Sequence, residues 1–190
     1  MSEDAQLASQ LLSRCATDLR LRVQRDELRR AHAREAEITA ALQLLEAHQG
    51  PNPILLGRPR AGKTALAHEI ARRIVVGDVV GELRDMRIYE MTPASILAGL
   101  QFGEGWRSHI SSLFAFLHEN GPVLLFLRDL HMAVGAGVRR GDDSDDDLAS
   151  ALEASLRGTS IKIIAESRPD RWQQIAAERD QRKLGNLSNL

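Results

Sequence analysis

Apolar residues recur through the first 48 positions at the spacing of one helix face: Leu11, Leu12, Cys15, Leu19, Leu21 and Val23, then Ile38, Leu42 and Leu45. Neither Gly nor Pro interrupts residues 5 to 48, so the stretch predicts two or three helices, closed by the breaker cluster Gln49-Gly50-Pro51-Asn52. The pattern then changes. Short apolar runs at 53–56, 87–91, 123–127 and 161–165 alternate with amphipathic stretches at 63–76, 107–119, 145–156 and about 171–182. Strand and helix in regular alternation predict an α/β fold with an open, mainly parallel sheet covered on both faces. The expected organisation is a helical N-terminal segment over 1–50, a core over 51–184, and a frayed tail over 185–190.

The first predicted strand runs straight into GRPRAGKT, residues 57–64, a match to G-x-x-x-x-G-K-[ST] with a helix behind it. Gly57 and Gly62 let the backbone turn so that successive N–H groups converge on phosphate oxygens, with Arg58, Pro59, Arg60 and Ala61 completing the loop. The positive end of the following helix adds to the attraction. Lys63 is placed to reach the β- and γ-phosphates, and Thr64 to hold Mg²⁺. The expected cofactors are therefore ATP and Mg²⁺. The competing reading is a glycine-rich turn that binds nothing.

Composition sharpens this only in places. The basic residues are nearly all arginine; lysine occurs at Lys63, Lys162 and Lys183 alone, so a lysine inside the motif is poorly explained as random surface charge. A net charge of −1 gives no bulk attraction to nucleic acid or to an anionic membrane. A hydrophobic content of 43% with 27% charged residues is that of a globular chain. Cys15 is the single cysteine, no run of about 20 apolar residues is present, and the acidic start MSEDAQ is unlike a signal peptide. These features favour a cytoplasmic location. The histidines form no pair at ligand spacing, and Cys15 reads as packing. The acidic run Asp142 to Asp147 reads as a solvated loop that caps the next helix through Asp145 or Asp146.

Several stretches together resemble a known family. REAEITAALQLLEAHQGPNPILLGRPRAGKTALAHEIARRIVVGDV, ILAGLQFGEGW and LLFLRDLHMAVGAG are similar to the first ATPase domain of Clp-type AAA+ unfoldases and disaggregases. The resemblance runs from Ser9 to about Arg182. It implies an AAA+ strand order with the phosphate-loop strand beside a fifth strand, and protein partners that are AAA+ subunits, either copies of this chain or a fuller Clp-type protein. It also implies that Phe102 belongs to the pore loop that grips substrate polypeptide. Trp106 follows it, and either ring suits a core equally well. Nucleic acid and membrane are not implied as partners.

The departures from the family fall on its hydrolysis machinery. Leu130-His131 and the later VGAG set the register, so the family's Asp-Glu pair is replaced by Arg128 and Asp129. In the family the first carboxylate serves the metal and the second polarises the attacking water. A guanidinium beside the metal replaces attraction with repulsion, worth roughly 3 kcal/mol per charge pair at about 5 Å and a dielectric near 20. Pairing of Arg128 with Asp129 or with the acidic loop is the bland alternative. In the sensor region Ser167 is the candidate polar group, while Glu166 is expected to repel phosphate. Arg60 stands where many family loops have Gly. The Arg182-Lys183 pair is followed only by LGNLSNL, so no arginine finger is assigned, and no strand or lid is expected there. The leading expectation is an ATP-binding, hydrolysis-impaired Clp-like module that acts through protein partners. The alternatives are a slow ATPase subunit working with a fuller ring protein, and an interaction protein with a vestigial pocket.

Overall fold

Residues 3–47, 51–100, 105–138, 147–178 and 187–189 are described by the computed structural model of the chain. Among them, six strands form one sheet in the order β1-β3-β4-β5-β2-β6. The strands are β1 (Ala16–Asp18), β2 (Asn52–Leu56), β3 (Arg87–Met91), β4 (Val123–Leu127), β5 (Lys162–Ser167) and β6 (Leu187–Asn189). All neighbours run parallel except β1, which is antiparallel to β3. Every residue of β4 is buried, as a central parallel strand covered on both faces requires.

Helices cover both faces. On one side α1 (Glu3–Cys15), α5 (Pro93–Gly99), α6 (Trp106–Glu119) and α7 (Leu148–Leu156) close a core that includes Leu11, Ile96, Ile110, Phe114 and Leu125. On the other, α2 (Leu19–Gln24), α3 (Glu35–Glu46) and α4 (Lys63–Val76) pack Leu19, Ile38, Leu45, Ile70 and Ile74 against Leu55 and Phe126. The helix α4 buries Leu66, Ala67, Ile70, Ala71 and Ile74 at the spacing of one face and stops at Gly77 with φ of 80°, a left-handed cap that only glycine adopts without strain. The last helix, α8 (Pro169–Glu178), follows β5 directly.

Three expectations change. The N-terminal stretch does form three helices, but Ala16–Asp18 between the first two is a strand, pairing Ala16 with Met91 and Asp18 with Tyr89. Three residues are too short to carry a periodic signal. The tail expected to fray contributes β6, which pairs parallel with β2 from Asn52 to Ile54, so β2 does not lack an outer neighbour. Its backbone groups meet a complementary row on β2, which the polar sequence of the tail does not advertise. Finally, α7 begins at Leu148 and is capped by Asp147 rather than by Asp145 or Asp146, which lie outside the described residues. Asp147 is completely buried and accepts bonds from Ser150 N (2.9 Å) and Gly135 N (2.7 Å), a pair of partners that fixes the start of α7 against the loop after β4.

Candidate nucleotide site

The loop 57–62 joins β2 to α4 at the carboxyl end of the parallel sheet, the end where open α/β folds bind ligands. Ala61 N donates to Arg58 O at 3.1 Å, closing a turn, and Gly57 N donates to Ser167 O at 3.4 Å, tying the loop to the end of β5. Gly57 leaves little room for a side chain: a Cβ would stand 3.2 Å from Ala61 Cβ, a tight contact. Gly62 has φ of 89° and Arg60 has φ of 66°, both left-handed, which is strained for an arginine. Lys63 Nζ donates to Gly57 O (2.8 Å) and Arg58 O (3.2 Å), so the ammonium lies over the loop it is expected to serve. A cleft of about 180 Å³ opens beside it, lined by Arg34, Glu37, Leu55, Gly62, Lys63 and Leu66. Arg34 also donates to Ala61 O at 3.3 Å.

Beneath the loop runs a chain of partly and fully buried polar groups; sequence reasoning named Thr64, Arg128 and Glu166 but missed their pairing, and missed Glu90 and His68 as members of it. Thr64 Oγ1 donates to Glu166 Oε2 at 3.0 Å. Glu166 Oε1 lies 3.6 Å from Arg128 Nε, and Arg128 Nη1 donates to Glu90 Oε1 at 2.8 Å. The other oxygen of Glu90 meets His68 Nε2, also at 2.8 Å. His68, Glu90 and Glu166 are all buried. Arg128 therefore pairs with Glu90 and Glu166; among the described residues it forms no ion pair with Asp129, and Asp142 to Asp146 lie outside them. Burial alone would raise the Glu90 carboxyl, but hydrogen bonds from His68 and Arg128 outweigh it and hold it below its ordinary range. Glu166 goes the other way: burial pushes it up, the Asp129 charge adds to this, and Thr64, Arg128 and Lys63 only partly oppose it. A signal for these residues did exist. Glu90 and Glu166 are carboxylates inside otherwise apolar strands, RIYEM and KIIAES, where a charge persists only if paired.

The remaining sequence candidates are placed less centrally. Asp129 follows β4 in a left-handed conformation, φ of 51° and ψ of 41°, which a short polar side chain tolerates. Ser167 is buried and its hydroxyl donates to Arg168 O at 3.4 Å, so it is Glu166, expected to repel the site, that reaches the phosphate-loop helix. Trp106 is buried at the start of α6 with Arg107 stacked 4.8 Å from its ring centre, which settles it as core. Cys15 is buried too, as expected of packing. Phe102 and the Arg182-Lys183 pair lie outside the described residues. No helix among the described residues is long and apolar enough to cross a membrane.

A mainly parallel α/β sheet with a glycine loop between strand and helix, and a lysine-threonine start to that helix, defines the class of P-loop nucleotide-binding proteins. Within it, the model of the ATPase family associated with various cellular activities (AAA) matches residues 53–183, and the chain belongs to that family. Its similarity extends to Clp proteins. It is 29% identical over 180 residues to the chaperone protein ClpB of Mycoplasmoides gallisepticum, covering 92% of this chain and 25% of that one. It is 34% identical over 132 residues to ClpB of Mycoplasma genitalium, covering 69% and 18%. The chain thus spans a quarter or less of these relatives. The fold is also that of S. cerevisiae Hsp104: a complex with casein in the extended conformation matches with a TM-score of 0.75, 24% identity, 95% of this chain and 30% of that chain. An Hsp104-ADP complex matches with a TM-score of 0.77 at 24% identity, over 94% of this chain and 30% of that one.

Proposed function

We propose that this chain binds ATP as a Clp-like AAA module, hydrolyses it at close to background rate, and acts through protein partners. The observation that carries the reading is the contrast between its two halves. The phosphate loop keeps its strand–loop–helix setting, while the end of β4 presents Arg128 in an ion pair with Glu90. In this reading the N–H groups of residues 57–62 hold the phosphates and Lys63 leaves the loop carbonyls to meet them. Thr64 would hold magnesium, which a hydroxyl beside a carboxylate suits as a hard-oxygen site. Bound there, the metal would neutralise phosphate charge. Asp129 is the remaining candidate for polarising water, one methylene shorter than the glutamate of the family. Losing one such group lowers turnover by a factor of about 10² to 10⁴.

The partners in this reading are AAA subunits, whether copies of this chain or a longer Clp-type protein, met in the cytoplasm, with Phe102 touching substrate polypeptide. Calorimetry on wild type and Lys63→Ala tests the core of it. Wild type should bind ATP, Lys63→Ala should not, helical content should be equal, and phosphate release by wild type should stay near background. Brisk release that vanishes in Lys63→Ala would establish a working ATPase instead. A second reading, an interaction protein with a vestigial pocket, is favoured by the two bonds from Lys63 Nζ to the loop's own carbonyls. No ATP binding by either protein would select it.

A further inference from the structure

The end of β4 carries a cation where a carboxylate is expected, yet the structure does not leave Thr64 without an acid. Glu166 enters from the neighbouring strand β5, and its carboxylate accepts the hydrogen bond of the Thr64 hydroxyl at 3.0 Å. A hydroxyl that donates its proton to a carboxylate has both lone pairs left for a cation on its other side. Arg128, meanwhile, is not directed at that hydroxyl. Its Nη1 is bonded to Glu90, and its Nε faces the second oxygen of Glu166 at 3.6 Å. With both carboxylates ionised, the group Glu90, Arg128 and Glu166 carries one net negative charge, the same as a single aspartate.

We infer that Glu166 is the positioning carboxylate of the divalent-cation site: displaced from β4 to β5, it orients the Thr64 hydroxyl and supplies the negative charge that Arg128 removes. This rests on the nucleotide-binding reading above. Magnesium keeps most of its waters and needs only one or two protein oxygens beside the phosphates, so one hydroxyl backed by one carboxylate fits it. Partners that orient a metal ligand without touching the metal typically carry about 10- to 100-fold of its affinity. Arg128 in this arrangement is a counter-ion that lets two carboxylates share a buried position, and Glu90 and His68 anchor its far end.

The test is the Mg²⁺ dependence of nucleotide binding, independent of turnover. A fluorescent ATP analogue is titrated into wild type, Glu166→Gln, Asp129→Asn and the double variant Arg128→Met/Glu166→Gln, with Mg²⁺ and with chelator. Mg²⁺ should tighten binding to wild type, and should tighten it for Asp129→Asn by more than for Glu166→Gln. In Glu166→Gln the affinity in chelator should persist while the gain from Mg²⁺ falls about 10- to 100-fold, as expected for loss of an orienting partner. The double variant removes one charge of each sign, so it keeps the local net charge and controls for an Arg128 left with Glu90 as its one carboxylate partner. The Mg²⁺ gain should remain lost there. Its return would mean that net charge, and not the carboxylate on Thr64, governs the metal, and would overturn the inference. So would a full Mg²⁺ gain in Glu166→Gln, or a loss confined to Asp129→Asn. Wild type that binds no analogue in either condition would instead remove the nucleotide-binding reading, and the inference with it.

Discussion

Two residues in and below the phosphate loop carry identifiable strain or charge. Arg60 holds φ of 66° on an exposed turn, a conformation that costs a non-glycine residue about 1–2 kcal/mol. Replacing it with glycine removes that cost but makes the unfolded chain freer, so Arg60→Gly should gain about 1 kcal/mol or slightly less. A shift of the urea midpoint to higher concentration measures it; a lower midpoint would mean that the arginine side chain contributes more than its backbone loses. Glu90 offers a test in pH. Its folded carboxyl lies below the ordinary value of 4.5, so as pH falls the unfolded chain takes up the proton first. The stability it contributes is complete above that value and fades as pH drops through the lower folded one. Wild type should therefore exceed Glu90→Gln in stability at pH 7, with the gap closing below about pH 4. Parallel stability curves from pH 7 to pH 3 would refute the assignment.

Among the elements, α5 packs against α1 at Gly99, next to Cys15 and Arg14. A Cβ there would collide with Cys15 Sγ and stand 3.1 Å from Cys15 N and 3.2 Å from the carbonyl carbon of Arg14. The thiol itself donates to Ile96 O at 3.7 Å, so the two helices meet through glycine and cysteine as a matched pair. Gly99→Ala should cost about 1–3 kcal/mol, the usual range for overpacking. Adding Cys15→Ala should restore part of the loss but not all, because the backbone contacts of Arg14 and Cys15 remain. Thermal denaturation of the four proteins of the cycle reads the coupling, and strict additivity would show that the two residues do not share a contact.

For the whole molecule the informative strand is β2. It is flanked by β5 on one side and by β6 on the other, so the strand that feeds the phosphate loop is an interior strand. Removing residues 186–190 would expose the backbone groups of Asn52, Pro53 and Ile54 that pair with β6. An uncovered strand edge is a template for another chain, so the truncated protein should associate more strongly with itself than the full chain at the same concentration. Sedimentation velocity at micromolar concentration measures this. Identical behaviour of the two proteins would mean that β6 contributes nothing to guarding the edge.

The sequence by itself determined the alternating elements, the parallel sheet and the loop from Gly57 to Thr64, because each is written in neighbouring residues. Apolar runs of strand length, the 3.6-residue period of α4 and a fixed glycine-lysine spacing are all local signals, and the expected bounds of α4 coincide with the observed Lys63–Val76. The resemblance to Clp-type domains puts Arg128 and Asp129 where that family has its Asp-Glu pair. Only the tertiary structure shows which groups Arg128 pairs with. Glu90 and Glu166 stand on β3 and β5, and Arg128 just past the end of β4 between them, 38 residues apart in the chain at each step, so the partner of a buried charge is set by register between strands. The same holds for β1 and β6, whose three residues each are strands because a neighbour's backbone is there to pair with them. Propensity acts over a few residues; charge pairing and edge pairing act across the fold.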